Sequence, residues 1–331
     1  MQAREDSTTT RVLLLQRRAG RRDTVVDAVP AGSLALDAPR IRRPSNIVAR
    51  RYRLVRQLGS GSSGSVYEGF DGVTRTRCAI KVLHDRLSQS REHVERFLRE
   101  AWIVASIGHS GVVPILDAGR DAEGRCYIVF ELLAGEDLDA AMQRGAVNQS
   151  DAIDIARLVL DVLDSAHQSA IIHRDVKPEN IYLTRNEHDQ LEVRLLDFGI
   201  AKLAAASARI ATVQGAQLGS PYYMSPEQWK SEKVGPGTDI WSVGAVLYHM
   251  LTGHTPFDAE NVGELRHLVI TKPAPALALW RPDLPTGLAA VIDRALAMRP
   301  IDRWPSAAAM ADALRRTGVS VDELDWDDWS N

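Results

Sequence analysis

Residues 239–252, Asp-Ile-Trp-Ser-Val-Gly-Ala-Val-Leu-Tyr-His-Met-Leu-Thr, have helical length and are apolar around most of the circumference a helix would have. Such a helix cannot lie on a surface. It has to be sheathed by other elements, so the chain must build a large helical core around it. The surrounding sequence supplies the wall: 151–168 is amphipathic, with Ile153, Ala156, Leu160, Leu163 and Ala166 on one face, and 288–298 and 306–315 read as further helices.

The half before residue 138 has another texture. Tyr52–Leu58, Ser65–Phe70, Arg75–Leu83, Val112–Gly119 and Cys126–Leu132 read as short strands separated by Gly and Asp-Gly turns. One helix interrupts them, from about Ser90 to Ile107, with Val94, Phe97, Leu98, Ala101, Val104 and Ala105 at helical spacing. An antiparallel sheet with one helix, followed by a mostly helical half, is an α+β arrangement.

The two ends differ from this body. Residues 1–51 form a basic leader: the first fifty carry ten arginines against five acidic residues, with little apolar periodicity, and read as solvated chain or as a basic docking arm. The tail, 316–331, holds five acidic residues together with Trp326 and Trp329, and reads as a flexible end or as a segment that docks on the domain. No stretch approaches the apolar length of a membrane span, and the run Val12–Leu15 is flanked by charges unlike those of a secretory signal. Only Cys78 and Cys126 are present, so one disulfide is arithmetically possible, but a reduced, cytoplasmic setting is expected. A formal net charge of −3 argues against nucleic acid as a partner held by bulk charge.

Gly59-Ser60-Gly61-Ser62-Ser63-Gly64 is a glycine-rich run whose spacing serves two unrelated nucleotide folds. A dinucleotide fold needs a helix next, whereas Ser65-Val66-Tyr67-Glu68-Gly69 continues as a strand. A glycine hairpin of this kind can lay its backbone over a triphosphate; the plain alternative is an ordinary hairpin turn. Lys81, on the next strand, is placed to reach the phosphates and needs a counter-charge. Glu100, on the packed face of the following helix, is the expected partner, with Glu95 as the alternative.

The most specific run is His173-Arg174-Asp175-Val176-Lys177-Pro178-Glu179-Asn180, followed by Asp197-Phe198-Gly199 at the end of another strand. Phosphoryl transfer needs positioned metal ions, positive charge near the γ-phosphate and a group that orients the attacking hydroxyl. Asp175 can accept the hydroxyl proton, Lys177 can meet the γ-phosphate, and Asn180 and Asp197 can hold Mg2+ through oxygen.

The ordered set of glycine loop, Ala79-Ile80-Lys81, His173–Asn180, Asp197-Phe198-Gly199 and Ser225-Pro226-Glu227 resembles the eukaryotic-type (Hanks-type) Ser/Thr protein kinases, most of all their bacterial members. The resemblance covers residues 52–315 and implies a bilobal fold, with an N-lobe over 52–133, a C-lobe over 134–315 and ATP between them. It implies an ATP pocket of Leu58, the loop from Gly59 through Ser60, Gly61, Ser62, Ser63 and Gly64 to Ser65, then Val66, Ala79, Lys81 and Leu183. Phe130 stands at its back, with backbone contacts from Glu131 and Leu133. It further implies a buried Glu227–Arg303 ion pair, and Asp239 anchoring the catalytic-loop backbone.

Lys177 departs from typical tyrosine kinases, and Gly219–Tyr223 resembles the acceptor-seating segment, with Ser220 where the family usually has threonine. Protein serine and threonine hydroxyls are therefore the expected acceptors. Arg174 marks family members switched by phosphorylation of the following loop. Thr212 is the expected site and Ser207 the second, Lys202 could assist, and a transient homodimer would phosphorylate in trans. Rival readings are a pseudokinase scaffold, disfavoured because Lys81, Asp175, Asn180 and Asp197 are all present, a small-molecule phosphotransferase, and a nucleic-acid adaptor built on the leader.

Overall fold

The computed structural model describes residues 46–317, apart from Ser62, Ala146, residues 199–220 and the side chain of Glu100. The expected α+β arrangement is present as a small sheet-based lobe and a larger helical one.

The first sheet has the order β1-β2-β3-β4-β6-β5, all antiparallel. Its strands are β1 (Ile47–Val48), β2 (Tyr52–Ser60), β3 (Gly64–Asp71), β4 (Arg77–Leu83), β5 (Ile115–Arg120) and β6 (Cys126–Glu131). Helices α1 (Asp85–Ser88) and α2 (Arg91–Ala105) follow β4. Ser90 caps α2 by accepting from the His93 amide. Pro114, which has no N–H to give a ladder, precedes β5, and the strand starts three residues later than the expected Val112. Strand β1 lies inside the segment read as leader. Val48 is fully buried there with Tyr52, Cys78, Ile80, Tyr127 and Val129 on the outer face of the sheet. The opposite face packs Leu83, Cys126 and Ile128 against Val94, Phe97 and Ala101 of α2. Cys78 and Cys126 are thus free thiols on opposite faces of one sheet, which rules out the disulfide.

A three-stranded sheet, β7 (Glu136–Asp137), β8 (Ile181–Arg185) and β9 (Leu191–Leu195), joins the lobes. The helical lobe comprises α3 (Leu138–Gln143), α4 (Gln149–Gln168), α5 (Pro226–Trp229), α6 (Pro236–Thr252), α7 (Val262–Thr271), α8 (Thr286–Ala295) and α9 (Ala307–Arg315). Helix α6 is the buried helix expected from its composition: every residue from Thr238 to Leu251 is buried except His249. Helices α4 and α8 pack against it, and Gly244 is required there because a Cβ would come within 2.8 Å of Ala295 Cβ.

Candidate active site

Strand alternation sets the first half of the site. Residues opposite one another in an antiparallel pair share a face. Val66 faces Lys81, Lys81 faces Ile128, and Ala79 faces Phe130. Val66, Ala79, Lys81 and Phe130 therefore line one face, while Cys78 and Ile80 pack behind. The β2–β3 hairpin carries the glycine run at its tip, where the Gly61 amide donates to Gly64 O at 2.9 Å and the Ser60 and Ser65 hydroxyls lie 3.1 Å apart. A Cβ on Gly59 would meet nothing within 4 Å, and one on Gly61 would come no nearer than 4.0 Å to Gly64 O. The protein itself does not crowd those two positions, which leaves space for a ligand against the bare backbone. Gly64 differs: a Cβ there would collide with Val82 O on β4.

Lys81 reaches across the lobes. Its Nζ lies 2.6 Å from Asp197 Oδ1. The neighbouring ammonium holds the Asp197 carboxyl below its ordinary value. The expected Lys81–Glu100 pairing lies outside the described side chains. The alternative partner is engaged elsewhere, since Glu95 is exposed and bonded to Arg91 at 2.6 Å.

The run 173–180 folds back on itself. The Asn180 amide nitrogen donates to Asp175 O at 2.8 Å and to Asp175 Oδ2 at 3.0 Å, and Lys177 Nζ lies 3.8 Å from the same oxygen. With its nitrogen committed, Asn180 has its amide oxygen left for a cation. The Leu196 amide donates to Asn180 O at 2.9 Å, which ties Asn180 to the residue before Asp197.

Behind this surface, buried Asp239 accepts from the amides of His173 at 2.9 Å and Arg174 at 2.7 Å, with His167 Nε2 2.8 Å away. His173 is fully buried and lies against Phe198, with ring centroids 4.4 Å apart. Its Nδ1 accepts from the Asp175 amide at 3.3 Å, and its Nε2 donates to Leu196 O at 3.0 Å. One nitrogen accepts and the other donates, the pattern of a neutral ring, and burial pushes its pKa down.

Of the pocket residues read from sequence, Leu183 lies in β8, buried, and pairs with Glu136. The Glu131 amide already donates to Pro114 O at 3.1 Å, so only its carbonyl can serve an adenine ring. Ser62, Ser220, Thr212, Ser207, Lys202 and Gly199 lie outside the described residues. Among those described, no group of three or more His, Cys, Asp or Glu side chains forms a metal cluster, and no helix is long and apolar enough to cross a membrane.

Residues 52–314 match the protein kinase domain family. The chain belongs to that family. The Myxococcus xanthus serine/threonine-protein kinase Pkn1 is 39% identical over 268 residues, covering 80% of this chain and 38% of the relative. PknA of Mycobacterium tuberculosis, also a serine/threonine-protein kinase, is 35% identical over 269 residues, 80% of this chain and 60% of its own. The kinase domain here therefore corresponds to only part of these curated relatives. The crystal structure of the Mycobacterium tuberculosis PknI kinase domain superposes with a TM-score of 0.64 at 28% identity, covering 82% of this chain and 98% of that one.

The kinase scaffold explains two contacts remote from the cleft. Glu227 and Arg303, both almost wholly buried, form a two-pronged ion pair at 2.8 and 2.9 Å, and Thr238 Oγ1 donates to Glu227 at 2.7 Å. From the next residue along α5, Gln228 Nε2 donates to Arg174 O at 2.8 Å. The ion pair thus seats the short helix that holds the 173–180 loop. Arg174 itself keeps Nε and Nη1 sealed from solvent with no hydrogen-bond partner among the described residues, and burial pulls its pKa down.

Proposed function

We propose that this chain is an ATP- and magnesium-dependent serine/threonine protein kinase. The observation that carries the reading is the folded catalytic loop, in which Asn180 holds Asp175 at 3.0 Å with Lys177 3.8 Å from the same oxygen. Asp175 accepts the proton of the acceptor hydroxyl as that oxygen bonds to the γ-phosphorus and the bond to the leaving ADP oxygen breaks. Lys177, its side chain 12% exposed, offers its charge beside that acid. Lys81 holds the phosphates from the sheet lobe. Asn180, through its amide oxygen, and Asp197, through its carboxylate, are the residues that would hold magnesium. That ion supplies charge neutralisation on the phosphates.

Protein acceptors fit the family's named members, and Ser220 is proposed to seat the acceptor. Arg174, whose Nε and Nη1 are sealed from solvent without an acceptor among the described residues, supports activation by a phosphate on Thr212, added in trans by a second copy, because such donors are stabilised by an incoming anion. Two free cysteines fit a reducing, cytoplasmic setting.

Incubation with labelled Mg-ATP and a generic protein substrate, beside Asp175→Asn and Lys81→Met, tests the reading. Transfer by the parent should exceed both variants by at least about a hundredfold. A parent that binds ATP yet transfers no more phosphate than they do is a scaffold, not an enzyme. Mapping of phosphorylated residues in the same reaction tests Thr212.

A further inference from the structure

The tip of the glycine-rich hairpin is gripped by a residue outside the glycine run. His84 directly follows β4, three positions after Lys81. Its ring Nε2 lies 2.9 Å from Gly61 O, and its backbone amide donates to Ser63 O at 3.0 Å. A carbonyl oxygen only accepts, so Nε2 carries the proton and donates. His84 is itself fixed. Its carbonyl accepts from the amides of Leu87 at 2.8 Å and Ser88 at 3.0 Å, and from the Ser88 hydroxyl at 3.3 Å, as the residue that starts α1.

We propose that His84 is a positioning residue for nucleotide binding, a latch that holds the glycine-rich loop against the end of β4 before ATP arrives. The proposal rests on the kinase reading of the cleft. Gly59 and Gly61 have no side chains with which to pack, and the space around them is open. A hairpin tip of this composition loses much conformational freedom when it closes on a ligand. Gly61 and Ser63 are each tied beyond the hairpin by a bond from His84. The hairpin base is pinned separately, where Gly64 approaches Val82 O too closely for any Cβ. Base and tip are therefore both fastened to β4 and the residue that follows it, the strand that bears Lys81. Loop and lysine are held in one frame, and a loop already in place loses less freedom on binding.

The test compares His84→Ala and His84→Gln with the parent full-length chain. Gln carries an amide N–H that reaches about as far as Nε2. Three readouts are taken: the dissociation constant for Mg-ADP by calorimetry, KM for ATP against kcat, and amide hydrogen exchange of residues 59–65 without nucleotide. One net hydrogen bond at a partly exposed site corresponds to roughly three- to tenfold in affinity. His84→Ala should weaken Mg-ADP by that factor, raise KM for ATP more than it lowers kcat, and speed exchange in the loop. His84→Gln should recover most of each change. Affinity and loop exchange within twofold of the parent in His84→Ala overturn the latch, and so does a Gln variant no better than Ala. Should His84→Ala unfold, His84→Asn, whose amide is too short to reach Gly61, takes its place against His84→Gln. A parent that binds no nucleotide refutes the kinase reading instead, and the exchange measurement still decides the latch.

Discussion

Removing the cation of the Glu227–Arg303 pair should be among the most damaging single changes outside the cleft. Arg303→Met keeps most of the side-chain volume and deletes the guanidinium. Arg303 now donates twice to Glu227 and also to Gly237 O at 2.8 Å, Ala297 O at 2.8 Å and Met298 O at 3.2 Å, and its guanidinium carbon lies 5.0 Å from the Trp241 ring centre. The variant leaves Glu227, 3% exposed, with Thr238 as its side-chain donor. Breaking a buried pair from one side costs about 3–5 kcal/mol, because the remaining charge stays buried. In a domain of this size 1 kcal/mol moves Tm by about 2–4 °C, so a fall of roughly 6–20 °C is expected. Glu227→Gln should cost less, since the amide still accepts from Arg303 and Arg303 keeps its three carbonyls. Burial alone would raise the Glu227 pKa, but the bonds from Arg303 outweigh it and hold the carboxyl low. The pair's contribution is therefore present above the unfolded carboxylate pKa, about 4.3, and is lost as pH falls through the lower folded value. Thermal and urea unfolding at pH 7.5 are the assays. A Tm drop under 2 °C for Arg303→Met, or a Glu227→Gln variant less stable than Arg303→Met, refutes the reasoning.

Three other outcomes follow from the same geometry. Asp239→Asn keeps one acceptor but sets an amide N–H against the donors of the catalytic loop; about 2–4 kcal/mol should be lost, with kcat falling about a hundredfold, measured by urea unfolding and steady-state kinetics. Gly135 has φ +137° and its Cβ would collide with Leu183 O, so Gly135→Ala should shift Leu183 and raise KM for ATP several-fold while Tm falls; an unchanged KM counts against Leu183 as part of the pocket. His173 has a lowered pKa in the fold, so below about pH 6.5 the unfolded chain takes up a proton that the native ring refuses, and stability falls as pH drops; His173→Gln should flatten Tm between pH 6.5 and 5, and an unchanged slope assigns it to other groups.

What the sequence made legible was whatever repeats or recurs at short range. Lys81 was legible as a strand residue behind the glycine hairpin, Val66 and Ala79 only through the likeness to the kinase family, and the apolarity of 239–252 around most of its circumference indicated a buried helix. The catalytic run folds on itself, so Asp175, Lys177 and Asn180 meet through contacts only two to five residues apart. Elements held by long-range contact were not visible. Strand β1 is two residues long and sits in an arginine-rich stretch, and only its pairing with β2 and the burial of Val48 reveal it. Helix α7 buries just Leu265 and Val269, too thin a stripe to stand out. Asp197 meets Lys81 across 116 positions, and a helix-face argument could point only to a carboxylate on α2. His84 looks like any polar residue ending a strand, because its partner is a backbone carbonyl and carries no side-chain signature.

Two residues at the acidic groups of the cleft have unfavourable backbones. Arg174 and Asp197 both have positive φ, 67° and 45°, a conformation that costs a non-glycine residue roughly 1–3 kcal/mol. Arg174 is bracketed by side-chain bonds to its own backbone, and Asp197 is held through the backbone of the residue before it. The Arg174 amide donates to Asp239 and its carbonyl accepts from Gln228, so helices α6 and α5 hold it from either side. Leu196, the residue before Asp197, donates to Asn180 O and accepts from the neutral His173 ring. The bond from the Arg174 amide to the Asp239 carboxylate, with a charged acceptor, is worth about 1.5–3 kcal/mol, enough to offset such strain at Arg174. The left-handed residues lie beside Asp175 and at Asp197, and the buried Asp239 and His173 tie the backbone on either side of them. Substituting glycine at 197 would relieve the strain there yet remove the carboxylate that meets Lys81. The geometry is held by buried residues behind the cleft, so removing one of them, as in Asp239→Asn, should lower kcat and stability together.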